Sequence, residues 1–286
     1  MSTRRGIDKE SPKRVGLALG GGGAKGVAHV FALEVLDEMG IIPHIIVGTS
    51  AGALMGMLYA AGMSAGEIRE HIEDNTPFEE GGITEALLNR NILKWFTLLH
   101  PSSVRGGLLN TDRFMEVNLQ RIGVRTFGEL KIPLRVVAAD FWKRQQVIFE
   151  SGELMPAVQA SMALPGIFTP VVHNHSVLVD GGTVNPVPYD VIQDDCDITV
   201  AVNVAGRRSV PEELTPSFAE SLFNTFQIYQ ASILREKIKR RPPDILLEPE
   251  IVDIRIVDFH KARHVLQQAS PIKERMKEEL KRLLGR

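Results

Sequence analysis

The sequence predicts an α/β fold, a three-layer sandwich with a mainly parallel central sheet and helices on both faces. The opening of the chain carries this reading. Residues 15–19 (VGLAL) are a short, wholly apolar run, residues 24–39 follow with apolar positions at helical spacing, and residues 45–47 (IIV) are apolar again. A second apolar stretch at 53–61 completes a strand–helix–strand–helix order. Such an order calls for a right-handed crossover and a parallel sheet covered on both sides. Similar short apolar runs recur at 134–140, 177–179 and 198–203, which supplies the remaining strands. The 286 residues, 44% of them hydrophobic and 24% charged, hold enough apolar material for the core of one ordinary α/β domain.

Each element has its own local signal. In the first helix Val27, Val30, Phe31, Val35 and Leu36 form one face, Gly40 stops it, and Pro43 opens the next strand. Residues 64–128 read as helical and irregular. Residues 146–150 are placed to pair with 134–140, and 153–163 form a short helix ended near Pro165-Gly166. His173 and His175 flank Asn174 in a hairpin turn. Residues 217–241 form a helix with Phe218, Leu222, Phe226 and Ile233 at helical spacing, and Pro242-Pro243 ends it. Residues 245–247 and 254–257 read as short strands, and the tail is helical.

Composition narrows the function classes. A formal net charge of −2 gives no electrostatic footprint for nucleic acid. The single cysteine, Cys196, excludes an intramolecular disulfide and suits a reducing compartment; beside the apolar run 198–204 it reads as a buried small residue. Residues 1–13 are polar and charged and read as a flexible arm without the apolar core of a signal peptide. No apolar run reaches the roughly 18 residues of a membrane span. The expectation is a cytoplasmic chain, at most peripheral at a membrane.

Ser50 is the most informative residue. It sits in Gly48-Thr49-Ser50-Ala51-Gly52, between the apolar run 45–47 and the helical stretch 53–61. Strand, sharp turn with a serine, then helix is the layout of a nucleophile elbow, and the helix start aims N–H groups and positive dipole at the hydroxyl. Gly20-Gly21-Gly22-Gly23 follows the first strand, and Gly21, Gly23 and Gly26 satisfy a dinucleotide-type glycine spacing. The second strand, however, ends in Gly48-Thr49-Ser50 with no acidic residue for a ribose, and Lys25 precedes Gly26 where a phosphate loop needs Ser or Thr. The run is better suited to facing a developing oxyanion through N–H groups of Gly22 and Gly23, with Ala51 a further donor. Lys25 either adds positive potential there or is solvated.

A serine nucleophile needs a proton acceptor. His260 and His264 lie in a basic helical segment away from any strand-to-turn junction, and the solvated reading suits both. Asp180 closes the strand 177–179 and is followed by Gly181-Gly182, so its carboxylate is rigidly placed and is the stronger base.

The three motifs in this order, Gly21-Gly22-Gly23-Ala24-Lys25-Gly26, Gly48-Thr49-Ser50-Ala51-Gly52 and Asp180-Gly181-Gly182, resemble those of the patatin-like phospholipase family. The stretch from Ala160-Ser161-Met162 through Asn185-Pro186-Val187-Pro188 resembles its bacterial members and the esterase domain of neuropathy target esterase. The resemblance covers about residues 14–260 and leaves 261–286 as a helical tail packed on, or extending, the same domain. It implies a Ser–Asp dyad of Ser50 and Asp180, an oxyanion hole at Gly21, Gly22 and Gly23, no catalytic histidine, no metal and no cofactor. It also implies hydrolysis of ester bonds in phospholipids or related lipids. Acyl transfer by the same site, and a non-catalytic lipid-binding protein of the same fold, are the rival readings.

Two segments are candidates for contact with a lipid surface. Residues 86–100 gather Leu87, Leu88, Ile92, Leu93, Trp95, Phe96, Leu98 and Leu99, as a lid, an interfacial helix or a helix packed on the core. Arg235, Lys237, Lys239, Arg240 and Arg241 form a basic cluster, either for anionic headgroups or as a solvated helix end.

Overall fold

The computed structural model describes residues 12–75, 100–101, 109–209 and 215–285. Most of the arm at 1–13 and all but the last residue of the apolar segment 86–100 lie outside the described residues.

The strands are β1 (Val15–Leu19), β2 (Ile45–Thr49), β3 (His100–Pro101), β4 (Leu109–Asn110), β5 (Leu134–Asp140), β6 (Gln145–Phe149), β7 (Val171–His173), β8 (Ser176–Asp180), β9 (Ile198–Val202) and β10 (Ile245–Leu247). The helices are α1 (Val30–Met39), α2 (Ala51–Ala60), α3 (Ala65–Asn75), α4 (Asp112–Ile122), α5 (Leu154–Met162), α6 (Phe218–Arg240), α7 (Ala262–Ala269) and α8 (Ile272–Leu284). The main sheet runs β10-β9-β1-β2-β5-β8-β7, with β6 on the other edge of β5, and it is parallel from β10 to β5. β6, β7 and β8 pair antiparallel, because tight turns join β5 to β6 and β7 to β8. The chain is thus a mixed, mostly parallel α/β sheet protein.

Alternation along the strands sends side chains to two apolar layers. Leu17, Leu19, Ile46, Val136, Val200 and Val202 pack on the side of α1, α2, α3 and α5, and Val265, Met276 and Leu280 of α7 and α8 join the same layer. Ala18, Val47, Val137 and Ala201 face the other way, onto Tyr189, Ile192 and Leu234 of α6.

Three readings change. Residues 23–29 form a 3-10 turn, and regular α-helix begins only at Val30. Residues 254–257 are not a strand: the Ile256 carbonyl accepts the Ala24 N–H at 2.8 Å and so is committed to the glycine turn. Cys196 is half-buried rather than enclosed.

Candidate active site

The register of β5 explains how two distant motifs meet. β6 occupies one edge of β5 from Val136 to Asp140, so β2 and β8 must share the other. β2 climbs that edge until Thr49 lies opposite Val137, then leaves the sheet at Ser50. β8 descends it and stops at Asp180, opposite Ala138. Neighbouring positions on one strand therefore hold the ends of the two motif strands, and the Ser50 side chain lies beside the Asp180 carboxylate in one cavity. The sheet neighbours β1 and β2 likewise bring the glycine run beside the elbow. A Cβ built on Gly21 would stand 3.3 Å from that of Ser50.

Ser50 has φ 54° and ψ −124°, a region a non-glycine residue adopts only when its surroundings impose it. Two contacts impose it here. Gly52 lies against the Leu19 carbonyl so closely that no Cβ fits, which lets α2 start directly over the sheet. From the other side Ser161 of α5, fully buried, accepts the Ser50 N–H at 2.8 Å and donates to the Val137 carbonyl at 2.6 Å. Two residues on, the Ala163 carbonyl accepts the Asp180 N–H at 3.0 Å. The end of α5 thus holds both motif residues by their backbones. Sequence reasoning quoted Ser161 only as part of a resemblance and missed this role; a lone serine before a helix end carries no distinguishing signal.

Asp180 is 4% exposed and accepts the Gly182 N–H at 2.7 Å. Burial pushes its pKa up to about 6, against the hydrogen bonds from Gly182 and Ser50. In the glycine run the Gly21 N–H donates to the Pro186 carbonyl, and Ala24 and Lys25 donate to Ile256 and Gly22. The N–H groups of Gly22, Gly23 and Ala51 have no acceptor among the described residues. Gly23, at φ 55°, is pressed against the Ile256 carbonyl, where any side chain would collide.

Lys25 settles an open alternative. It is 3% exposed and donates to the Ala205 carbonyl, and burial pushes its pKa down to about 8. Behind the turn His29 is fully buried and donates Nε2–H to the Gly20 carbonyl at 2.8 Å; burial holds it near pKa 4, hence neutral.

Gly21, Gly22, Gly23, Lys25, Ser50, Ala51 and Asp180 all line one cavity, whose walls are otherwise mostly apolar: Leu54, Met55, Leu58, Ile72, Met162 and Phe168 among them. The one histidine on its described lining, His71, is paired with Asn118 at 3.1 Å. His260 lines a separate depression with Arg208 and Asp253, and His264 is exposed. His173 stands at the end of β7, and Asn174 and His175 form the left-handed turn of the β7–β8 hairpin. Among the described residues no cluster of three or more His, Cys, Asp or Glu is arranged for a metal ion.

The basic cluster 235–241 is partly internal. Lys237 turns inward to Asn185, Val187 and Asp190, while Lys239 pairs with Glu236 and Arg241 with Asp194. Among the described residues, no helix is long and apolar enough to cross a membrane.

Comparison with known proteins shows the family of the chain. The family model for patatin-like phospholipases matches residues 17–192. An uncharacterised NTE family protein of Mycobacterium tuberculosis is 33% identical over 202 residues, covering 70% of this chain and 52% of the relative. The lysophospholipase NTE1 of Kluyveromyces lactis is 28% identical over 284 residues, covering 90% of this chain and 19% of that protein. The chain spans about half the length, or less, of such relatives. Among solved structures, VipD from Legionella pneumophila superposes with a TM-score of 0.51 at 12% identity, covering 93% of this chain and 67% of that one, which speaks to the fold. Matched over more than half of its length, and with all three motifs gathered in one cavity, the chain belongs to the patatin-like phospholipase family.

Proposed function

We propose that this chain is a serine acyl hydrolase of lipid esters that works through Ser50 and Asp180. The observation that carries the reading is the strained Ser50 beside a buried carboxylate of raised pKa, in a cavity with apolar walls. Asp180 at a pKa of about 6 is ionised at neutral pH yet basic enough to take a proton in the transition state. Ser50 Oγ attacks the ester carbonyl carbon as its proton passes to Asp180. The resulting oxyanion is met by the free N–H groups of Gly22 and Gly23, with Ala51 at the helix start as a further donor. Asp180 then protonates the departing alcohol, and in the second half it takes a proton from the water that releases the fatty acid.

Lys25 is held by Ala205, so its contribution is the field of a buried ammonium behind the glycine turn rather than a direct contact. The acyl chain lies along Leu54, Met55 and Leu58 of α2 and Met162 and Phe168 opposite. The name of the Kluyveromyces relative favours a single-chain phospholipid as substrate. Incubation with lysophosphatidylcholine, phosphatidylcholine and a p-nitrophenyl ester tests the proposal. Fatty acid release by the wild type but not by Ser50→Ala is expected. Equal release by both proteins, or none from any ester, would reject it.

A further inference from the structure

The β5–β6 turn carries a feature the hydrolase site does not use. Phe141 and Trp142 are 48% and 74% exposed, and Val172 on the neighbouring hairpin is 75% exposed. The register sets them together. Val172 pairs with Val177, and the Phe141 N–H donates to the Val177 carbonyl at 2.8 Å, so Val172, Val177 and Phe141 form one row on one sheet face. Trp142 continues the row, its ring edge-on to Phe141 at 5.0 Å and 85°. The turn is fixed from beneath, since Asp140 accepts the N–H groups of Trp142 at 3.2 Å and Lys143 at 2.9 Å.

Charge completes the tip. Lys143 and Arg144 are exposed beside the aromatics, and Arg144 has no ion pair among the described residues. The acid at the turn, Asp140, is buried and pairs with Lys143 at 3.3 Å, so the net outward charge of the tip is the single positive charge of Arg144. Aromatic rings at headgroup depth flanked by cations match the chemistry of an anionic phospholipid surface. Four side chains on a convex hairpin tip fall far short of the roughly 20–30 residues a side of a stable protein interface.

The position fits the same partner. β5 runs parallel to β2, and the tip begins four residues beyond Val137, the partner of Thr49 at the elbow, or about 13 Å further along the strand. The tip therefore projects at the end of the sheet where Ser50 and the cavity open.

We propose that the Phe141–Arg144 tip, with Val172, is the surface by which this protein docks on an anionic phospholipid bilayer. The hydrolase reading above supplies the reason for the visit; the docking itself stands on the tip.

The chain has two tryptophans, Trp95 and Trp142, so Trp95→Phe leaves Trp142 as sole reporter. Its emission should shift to the blue on addition of phosphatidylcholine–phosphatidylserine vesicles, be quenched by brominated acyl chains, and respond little to pure phosphatidylcholine. Arg144→Gly, tolerated at φ 55°, should weaken vesicle binding about fivefold, the equivalent of about 1 kcal/mol for one cation. Phe141→Ser with Trp142→Ser should lower binding at least tenfold, with far-ultraviolet circular dichroism and turnover of a soluble p-nitrophenyl ester unchanged. Vesicle binding without a response from Trp142, or no binding, would overturn the proposal. So would a blue shift that depends on protein concentration without vesicles, which would assign the tip to a second copy. Soluble-ester turnover with a silent Trp142 removes the docking and leaves the hydrolase; a responding Trp142 without any turnover does the reverse.

Discussion

Replacing Asp180 with Asn separates the stability of this site from its chemistry. Burial lifts the Asp180 pKa from 3.8 to about 6, so the folded protein holds the carboxylate at neutral pH against its preference. A gap of about two pKa units corresponds to about 3 kcal/mol. Asn keeps the shape: its carbonyl still accepts the Gly182 N–H, and its amide still reaches Ser50. The variant should therefore be more stable than wild type at about pH 8, by up to about 3 kcal/mol, or about 5 °C or more in Tm for a chain of this size. The sign of the pH dependence follows from where the protons sit. Below the unfolded pKa the carboxyl is protonated in both states and the advantage vanishes. As pH rises from about 4 to about 6 the folded wild type binds more protons than the unfolded chain, so its relative stability falls, and above that range the difference is constant. Around the folded pKa the ionised fraction climbs from about one-tenth at pH 5 to about nine-tenths at pH 7, so wild-type kcat/KM on a soluble ester should rise about tenfold. The Asn variant should be slower by about 10²–10⁴ throughout. Urea unfolding of both proteins at about pH 4 and about pH 8, beside the pH–rate profile, reads out both effects. A stability difference that does not change with pH, or a wild-type rate flat from pH 5 to 7, would refute the raised pKa and with it the role given to Asp180.

Three further outcomes are expected. Ser161→Ala leaves the Ser50 N–H and the Val137 carbonyl without their buried partner, a cost of about 1–3 kcal/mol in stability. Because it loosens the elbow and not the acyl wall, kcat should drop more than tenfold with KM nearly unchanged, which steady-state kinetics would separate. Gly23→Ala forces the turn away from the Ile256 carbonyl and should lower kcat by about 10²–10³, again with little change in KM. His260→Ala with His264→Ala should keep most activity, since neither residue lines the Ser50 cavity; a loss as large as that of Asp180→Asn would install a histidine in the mechanism.

Most strands of the main sheet and the Ser50 elbow were legible in sequence because each rests on local signals: mostly apolar runs of three to seven residues, a serine between glycines, Asp180 before two glycines. The parallel order of β1 and β2 followed from the helix between them, and it put the glycine run beside Ser50 as expected. What stayed hidden depends on contacts distant in sequence. The 254–257 segment has strand-like residues, but its Ile256 carbonyl is spent on Ala24 rather than on a neighbouring strand. Lys25 reads in sequence as either a site cation or a solvated one and is buried against Ala205, and Lys237 looks like a surface cation and is an internal tie to Asp190. The end-to-end meeting of β2 and β8 on one edge of β5, which joins Ser50 to Asp180, is set by register alone, and no local pattern encodes it.

The central claim is that Ser50 is an activated nucleophile, and covalent labelling addresses it most directly. A fluorophosphonate probe, followed by peptide mass spectrometry, should place one adduct on the peptide bearing Ser50. The adduct should be absent in Ser50→Ala and form more slowly in Asp180→Asn. A folded wild-type protein that takes no label, or that takes it on a serine other than Ser50, would contradict the account.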